Sequence, residues 1–158
     1  MYLYPPNINW KSEFQKEKEL LTSKFEDNIE IHHIGSTAIT GLYAKNCIDI
    51  LGVVNDISDI SKVKQHIIKL GYSYKGEYGI SGREYFSKKQ RKVHLHFFQY
   101  DDINVEKHLN FVKVMQNNSF LITELNQLKQ ILHAKHPQNK DAYQNGKEPF
   151  YSRINKML

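Results

Sequence analysis

The chain has 158 residues, enough for one domain with a substantial hydrophobic core. Its 22 basic and 17 acidic residues give a formal charge of +5, which favours anionic partners such as nucleotides but is too small to argue for nucleic acid. No apolar run approaches the roughly 20 residues that span a bilayer. The single cysteine, Cys47, excludes an internal disulfide, and Pro5-Pro6 stands where a signal peptide would be basic and then apolar. These features predict a cytoplasmic protein that does not enter membranes.

Helices and strands alternate in the first half of the chain. Hydrophobic periodicity predicts a helix over 11–27, a strand over 29–34, a strand from Cys47 to Val54 and a helix from Asp56 to Leu70. The second of these strands is apolar on both faces, which places it inside its sheet.

The second half begins with glycines that predict a loop without regular structure up to Gly82. Two further strands, a basic turn and three helices are then predicted: strands 83–87 and 93–100, the turn 88–92, and helices 104–116, 119–135 and from about Glu148, after a connector from Pro137 to Gly146. This order predicts an α+β fold in one domain over 1–158. A mixed β-sheet flanked by helices would occupy about residues 1–103, and a helical C-terminal part about 104–158.

A Gly-Ser turn and a strand aspartate are the first candidates for chemistry. Gly35 and Ser36 interrupt the first strand where a helix begins, and they offer a phosphate close backbone approach and a hydroxyl donor. Asp49 offers a metal ligand. Residues i and i+2 of a strand share a face, so a two-metal site would need its second acid at Leu51. The alternatives are a helix cap for Ser36 and a structural acid for Asp49.

Two histidines share one face of a later predicted strand. His94 and His96 can bind one metal, hydrogen-bond a phosphate or act as acid and base, or they are partly buried polar residues without such a role.

Basic side chains supply candidate phosphate contacts. Arg83 suits a bidentate grip on a phosphate, or else pairs with a nearby glutamate, Glu77 or Glu84. Lys45 either offsets phosphate charge or lies in solvent. Periodicity leaves open whether Lys147 faces a cleft.

A set of short motifs spread over nearly the whole chain gives it a family resemblance. They include His33-Ile34-Gly35-Ser36-Thr37-Ala38, Gly41-Leu42, Ala44-Lys45, Ile48-Asp49-Ile50-Leu51, Gly82-Arg83, His94-Leu95-His96, His108-Leu109, Leu128-Lys129 and Lys147. With these motifs the chain resembles the GrpB family, which shares the fold of the polymerase-beta-like nucleotidyltransferases. The resemblance implies that Gly35 and Ser36 contact nucleotide phosphates and that Asp49 binds metal. Leu51 stands at the position of the second acid, as is usual in GrpB-like sequences.

These observations predict a nucleotidyltransferase-like protein that binds a nucleotide or another phosphate-bearing small molecule with a divalent metal, magnesium or manganese. Asp49 is the candidate catalytic residue. The candidate phosphate ligands are Gly35, Ser36, Lys45 and Arg83, and the candidate metal ligands are Asp49, His94 and His96. Two alternatives stay open: a binding or regulatory module that lacks catalysis, and a metal-dependent hydrolase built on the two histidines and Asp49.

Overall fold

Five strands form one mixed sheet in the computed structural model, which describes residues 2–25 and 28–157. The strands are β1 (Ile29–Ile34), β2 (Ile48–Val54), β3 (Tyr72–Gly76), β4 (Glu84–Lys88) and β5 (Val93–Gln99). Their order across the sheet is β1-β2-β5-β4-β3. β2 runs parallel to β5, and the other neighbouring strands are antiparallel. The strands that carry the candidate acid and histidines are therefore adjacent inside the sheet.

Helices cover both faces of this sheet. They are α1 (Asn9–Thr22), α2 (Ile60–Lys69), α3 (Ile103–Gln116), α4 (Ser119–Lys135) and α5 (Lys140–Met157). Successive residues of a strand point to opposite faces. Ile50 accordingly packs in the core formed with α1 and α2, whereas Leu51 packs against Val105 of α3 on the other face. No helix in the described part of the chain combines the length and the apolarity needed to cross a bilayer.

The three C-terminal helices pack around the segment that follows the Gly-Ser turn. Ile39 and Leu42 of that segment share a core with Met115, Leu125 and Phe150, one residue from each of these helices. The helical part is thereby held beside the start of β2.

The structure confirms the predicted α+β class and the bounds of β1 and α4, but two elements were predicted wrongly. Residues 72–76 form the edge strand β3 instead of the predicted loop. Pairing with β4 stabilises this strand, and the local sequence pattern does not reveal that pairing. Helix α5 begins at Lys140, not near Glu148, because Gly146 does not break it. A Cβ on Gly146 would lie 2.4 Å from Leu132 Cδ2, so this glycine permits the close approach of α4 and α5.

The N-terminal helix is shorter than predicted. It ends at Thr22, and Glu26 and Asp27, the last residues of the predicted range, lie outside the described residues.

Candidate functional site

Asp49 lies near the start of β2, directly opposite His94 in the parallel register with β5. Its Oδ1 atom is 3.3 Å from His96 Nε2 and 3.5 Å from His94 Nδ1. Burial acts to raise the pKa of the Asp49 carboxyl, but the hydrogen bonds from the two histidines oppose burial and hold this pKa below its usual range. The three side chains predicted as metal ligands therefore lie together, with both histidines beside the ionised carboxylate of Asp49.

Arg83 is buried and points at protein atoms. Its Nε and Nη2 atoms donate to the carbonyl oxygens of Glu77 and Tyr78 at 3.1 and 2.9 Å, and Nη1 lies 3.1 Å from His96 Nδ1. A guanidinium can only donate, so His96 Nδ1 accepts and the neutral ring carries its proton on Nε2. That proton is donated to Asp49. Arg83 thus sets the tautomer of His96, which in turn orients Asp49.

The Gly-Ser turn lies directly over Asp49. Gly35 has a φ of +72°, and a Cβ at this position would lie 2.9 Å from Asp49 Oδ2. Ser36 Oγ accepts a hydrogen bond of 2.9 Å from Lys129 Nζ. The turn and the aspartate, which are separate in the sequence, therefore share one site.

Two buried lysines reach this site from the C-terminal helices. Lys129 of α4 donates to Ser36 Oγ and to the Tyr43 carbonyl, at 2.9 and 2.7 Å. Lys147 of α5 lies with its Nζ 4.6 Å from the ring centroid of Tyr143. Burial lowers the pKa of both ammonium groups, that of Lys147 to about 8. Within the described residues, no carboxylate forms an ion pair with either lysine.

Sequence reasoning gave Lys129 no role in the site and left the direction of Lys147 undecided. Both occupy positions in the buried stripe of an amphipathic helix, where apolar residues are expected. The stripes contain Leu121, Leu125, Lys129 and Leu132 in α4, and Tyr143, Lys147, Phe150 and Ile154 in α5. A lysine at such a position was the available signal.

A basic cleft of about 430 Å³ lies beside the start of β2, and its lining includes Ser36, Asp49, His94, Lys129 and Lys147. The basic side chains that line it are Lys45, Arg91, Lys92, Lys129, Lys140 and Lys147. Of the described lining residues, Asp49 alone is acidic. The basic turn predicted over 88–92 contributes Arg91 and Lys92 to the cleft, whereas Arg83 does not line it.

The donor atoms at the floor of the cleft are mixed. Ligand atoms of Cys47, Asp49 and His94 all lie within 4.8 Å of one another. Burial raises the pKa of the Cys47 thiol to about 12. Magnesium prefers oxygen ligands, yet Leu51, at the place of a second acid, is fully buried under α3. These residues consequently fit magnesium poorly and fit a metal that accepts nitrogen and sulfur well.

Sequence comparisons link the whole chain to one group of bacterial proteins. A family model described as GrpB protein matches residues 1–157. The UPF0157 protein YqkA of Bacillus subtilis is 37% identical over 145 residues, which cover 90% of this chain but 42% of YqkA. The glutamate-rich protein GrpB of Alkalihalophilus pseudofirmus is 34% identical over 154 residues, which cover 92% of this chain and 88% of that protein. The chain therefore spans less than half of the first relative and most of the second.

Solved structures show the same relationship at the level of the fold. The crystal structure of conserved protein GrpB from Enterococcus faecalis superposes with a TM-score of 0.92 and 31% identity, covering 98% of this chain and 95% of that one. Cid1, a poly(U) polymerase, superposes with a TM-score of 0.54 and 14% identity, covering 80% of this chain and 41% of Cid1. The predicted nucleotidyltransferase-like fold is confirmed.

Proposed function

Because the chain belongs to the GrpB family, we propose that it binds a nucleotide or another phosphate-bearing small molecule in the basic cleft, with a divalent metal at Asp49. The charge arrangement of the cleft carries this proposal. Six basic side chains line the cleft with one carboxylate, Asp49; Arg91 is ion-paired with Glu13, whereas the buried Lys129 and Lys147 form no ion pair with a carboxylate of the described residues. Burying an ammonium group without a counter-ion is unfavourable, and a bound anion would offset that cost.

The proposed phosphate position lies between the Gly-Ser turn and the C-terminal helices. Ser36 and Lys129 are already hydrogen-bonded at 2.9 Å, and Lys45 and Lys147 line the same cleft. A volume of about 430 Å³ suits a small molecule. Structures of Cid1, which shares the fold, contain a UTP analogue or MgGTP. Nucleoside triphosphates are therefore the first ligands to test.

Asp49 would join the phosphate to the metal in this arrangement. His96 donates to its carboxylate and Arg83 holds His96, so Asp49 is oriented before any ligand arrives. Magnesium or manganese stays the prediction made from the sequence, and of the two, manganese better tolerates the imidazole of His94. Such a metal would neutralise phosphate charge and orient the ligand.

Leu51 favours a second candidate, a ligand-binding module without turnover. Two-metal displacement needs acids that grip both ions, and Leu51 instead packs with Phe98 and Val105 in the core. Release of pyrophosphate, or transfer of label from a triphosphate, would separate nucleotidyl transfer from binding alone.

The test is calorimetric titration of the protein with ATP and UTP. We expect Lys147→Met to weaken binding about tenfold or more, because a hydrogen bond to a charged group contributes roughly 1.5–3 kcal/mol. Lys107→Met removes the same charge from an exposed position on α3 and should leave the affinity unchanged. Absence of nucleotide binding in the wild type, or equal effects of the two variants, would contradict the proposal.

Asp49→Asn should weaken nucleotide binding in the presence of metal but not in its absence. Without metal it removes a negative charge that repels phosphate, so binding should tighten or stay equal. With manganese it removes the proposed metal ligand, so binding should weaken by about tenfold or more. Weaker binding in both conditions would indicate that Asp49 acts by shaping the cleft rather than by holding a metal.

A further inference from the structure

Three side chains of different chemistry converge at the floor of the cleft. Potential ligand atoms of Cys47, Asp49 and His94 lie within 4.8 Å of one another, and His94 Nδ1 is 3.5 Å from Asp49 Oδ1. Ligand atoms around a tetrahedral zinc ion are about 3.3–3.8 Å apart. The His94–Asp49 pair is already at this spacing. Side-chain rotations that move the ligand atoms by about 1 Å would bring Cys47 Sγ to the same spacing from both.

We propose that Cys47, Asp49 and His94 form a site for zinc or a similar ion that accepts sulfur and nitrogen ligands. This inference deepens the proposed function by naming the class of metal. It rests on the proposed function in one respect: the phosphate-bearing molecule in the cleft would supply the remaining ligand of the ion.

The backbone brings the three residues together without help from a loop. Cys47 directly precedes β2 and is two positions from Asp49, so the two side chains have one general direction. His94 is the register partner of Asp49 in the adjacent parallel strand. All three line the cleft, so an ion held there would keep one side open to a phosphate oxygen or to water.

The surrounding charge favours a thiolate-containing ligand set. With Asp49 alone, a divalent ion would keep a net positive charge beside Lys45, Lys92 and the other basic residues of the cleft. If Cys47 also binds, its thiol gives its proton to solvent, and the thiolate and carboxylate together balance the ion's two charges. Magnesium does not take sulfur ligands and gains nothing from Cys47.

His96 lies outside this ligand set. Its Nδ1 accepts from Arg83, and its Nε2 proton is donated to Asp49. It therefore acts as a positioning residue that orients the ligating carboxylate, as the outer hydrogen-bond partners of metal ligands commonly do.

Cobalt(II) titration of the whole chain tests the site, because a cobalt–thiolate bond gives a charge-transfer band in the near-ultraviolet. We expect this band to saturate at one cobalt per chain and to disappear when zinc is added, but not when the same concentration of magnesium is added. Cys47→Ser should abolish the band, and His94→Gln should weaken cobalt binding at least about tenfold. His66→Gln changes an exposed histidine on α2 and should have no effect.

Three results would overturn the proposal: no charge-transfer band in the wild type, a band that survives Cys47→Ser, or displacement of cobalt by equal magnesium. Because Cys47 is buried, Cys47→Ala serves as a second variant, and the near-ultraviolet circular dichroism of both must match the wild type before metal is added. No nucleotide enters this titration. A normal cobalt band together with absent ATP binding would contradict the proposed function and support the metal site. ATP binding without a cobalt band would contradict the metal site and support nucleotide binding in the cleft.

Discussion

Among single residues, Gly35 shows how the absence of a side chain shapes the site. Its backbone has φ of 72° and ψ of −170°, a region that is nearly closed to other residues. The carboxylate of Asp49 also lies where a Cβ would be, at 2.9 Å from Oδ2. Backbone conformation and close approach therefore both require glycine at this position.

An alanine held in the backbone conformation of Gly35 costs roughly 1–3 kcal/mol. Gly35→Ala should lower the free energy of unfolding by more than this amount, because the methyl group also meets Asp49. The added methyl group must displace Asp49, so metal binding should weaken as well. Urea denaturation with Gly79→Ala as the control separates the two effects, because Gly79 has φ of +89° but a Cβ added there would meet nothing within 4 Å. Equal losses in the two variants would show that the contact with Asp49 contributes nothing.

At the scale of elements, helices α4 and α5 each give up one core position to a lysine. The apolar neighbours of Lys129 and Lys147 in their stripes hold both helices in place, so the ammonium groups stay in the cleft. Such burial is destabilising without a bound anion. The two lysines are therefore expected to favour anion binding and to lower the free energy of unfolding of the unliganded protein.

Lys147→Met should raise the free energy of unfolding while it weakens nucleotide binding. The stability gain should depend on pH, because the pKa of Lys147 is about 8 when folded and 10.5 without the fold. Between these values the unfolded chain binds the proton that the folded chain has lost, so wild-type stability rises with pH. The advantage of the variant should therefore be largest below about pH 8 and shrink towards pH 10.5. A constant difference in urea melts across this range would contradict the assignment.

In the whole molecule, the layers of the fold concentrate positive charge at one place. The sheet separates the α1 and α2 layer from the α3 layer, and the cleft opens where the start of β2 meets α4 and α5. The chain carries a formal charge of +5, and six basic side chains line this cleft. Anion attraction is consequently a property of the assembled fold rather than of one motif.

Binding of ATP without metal should weaken several-fold when salt rises from about 0.01 M to about 0.15 M, because the Debye length falls from about 30 Å to about 8 Å. Adenosine carries no phosphate and serves as the neutral control, whose affinity should hardly change. Fluorescence or calorimetric titration at both salt concentrations measures the difference. The same salt dependence for ATP and adenosine would rule out the cleft charge as the source of affinity.

Periodicity predicted the elements whose side-chain pattern is strong. The bounds of β1 and α4 were confirmed, because Gly35 interrupts the chain at the end of β1 and the buried residues of α4 recur at the helical period. β3 was not predicted because pairing with β4, rather than its own side-chain pattern, stabilises it. The start of α5 was misplaced because a glycine in the sequence indicates a loop, whereas Gly146 lies inside α5 and permits close packing against α4.

By itself, the sequence determined that Gly35, Ser36 and Asp49 are the local elements of a candidate phosphate and metal site, because their spacing and strand positions are local properties. Only the tertiary structure decided which distant groups complete that site. The parallel register of β2 and β5 sets His94 beside Asp49, and the packing of α4 brings Lys129 to Ser36. Arg83, which looks like a phosphate ligand in the sequence, instead orients His96. The reason is physical: register and helix packing join residues far apart in the chain, and local pattern carries no record of those contacts.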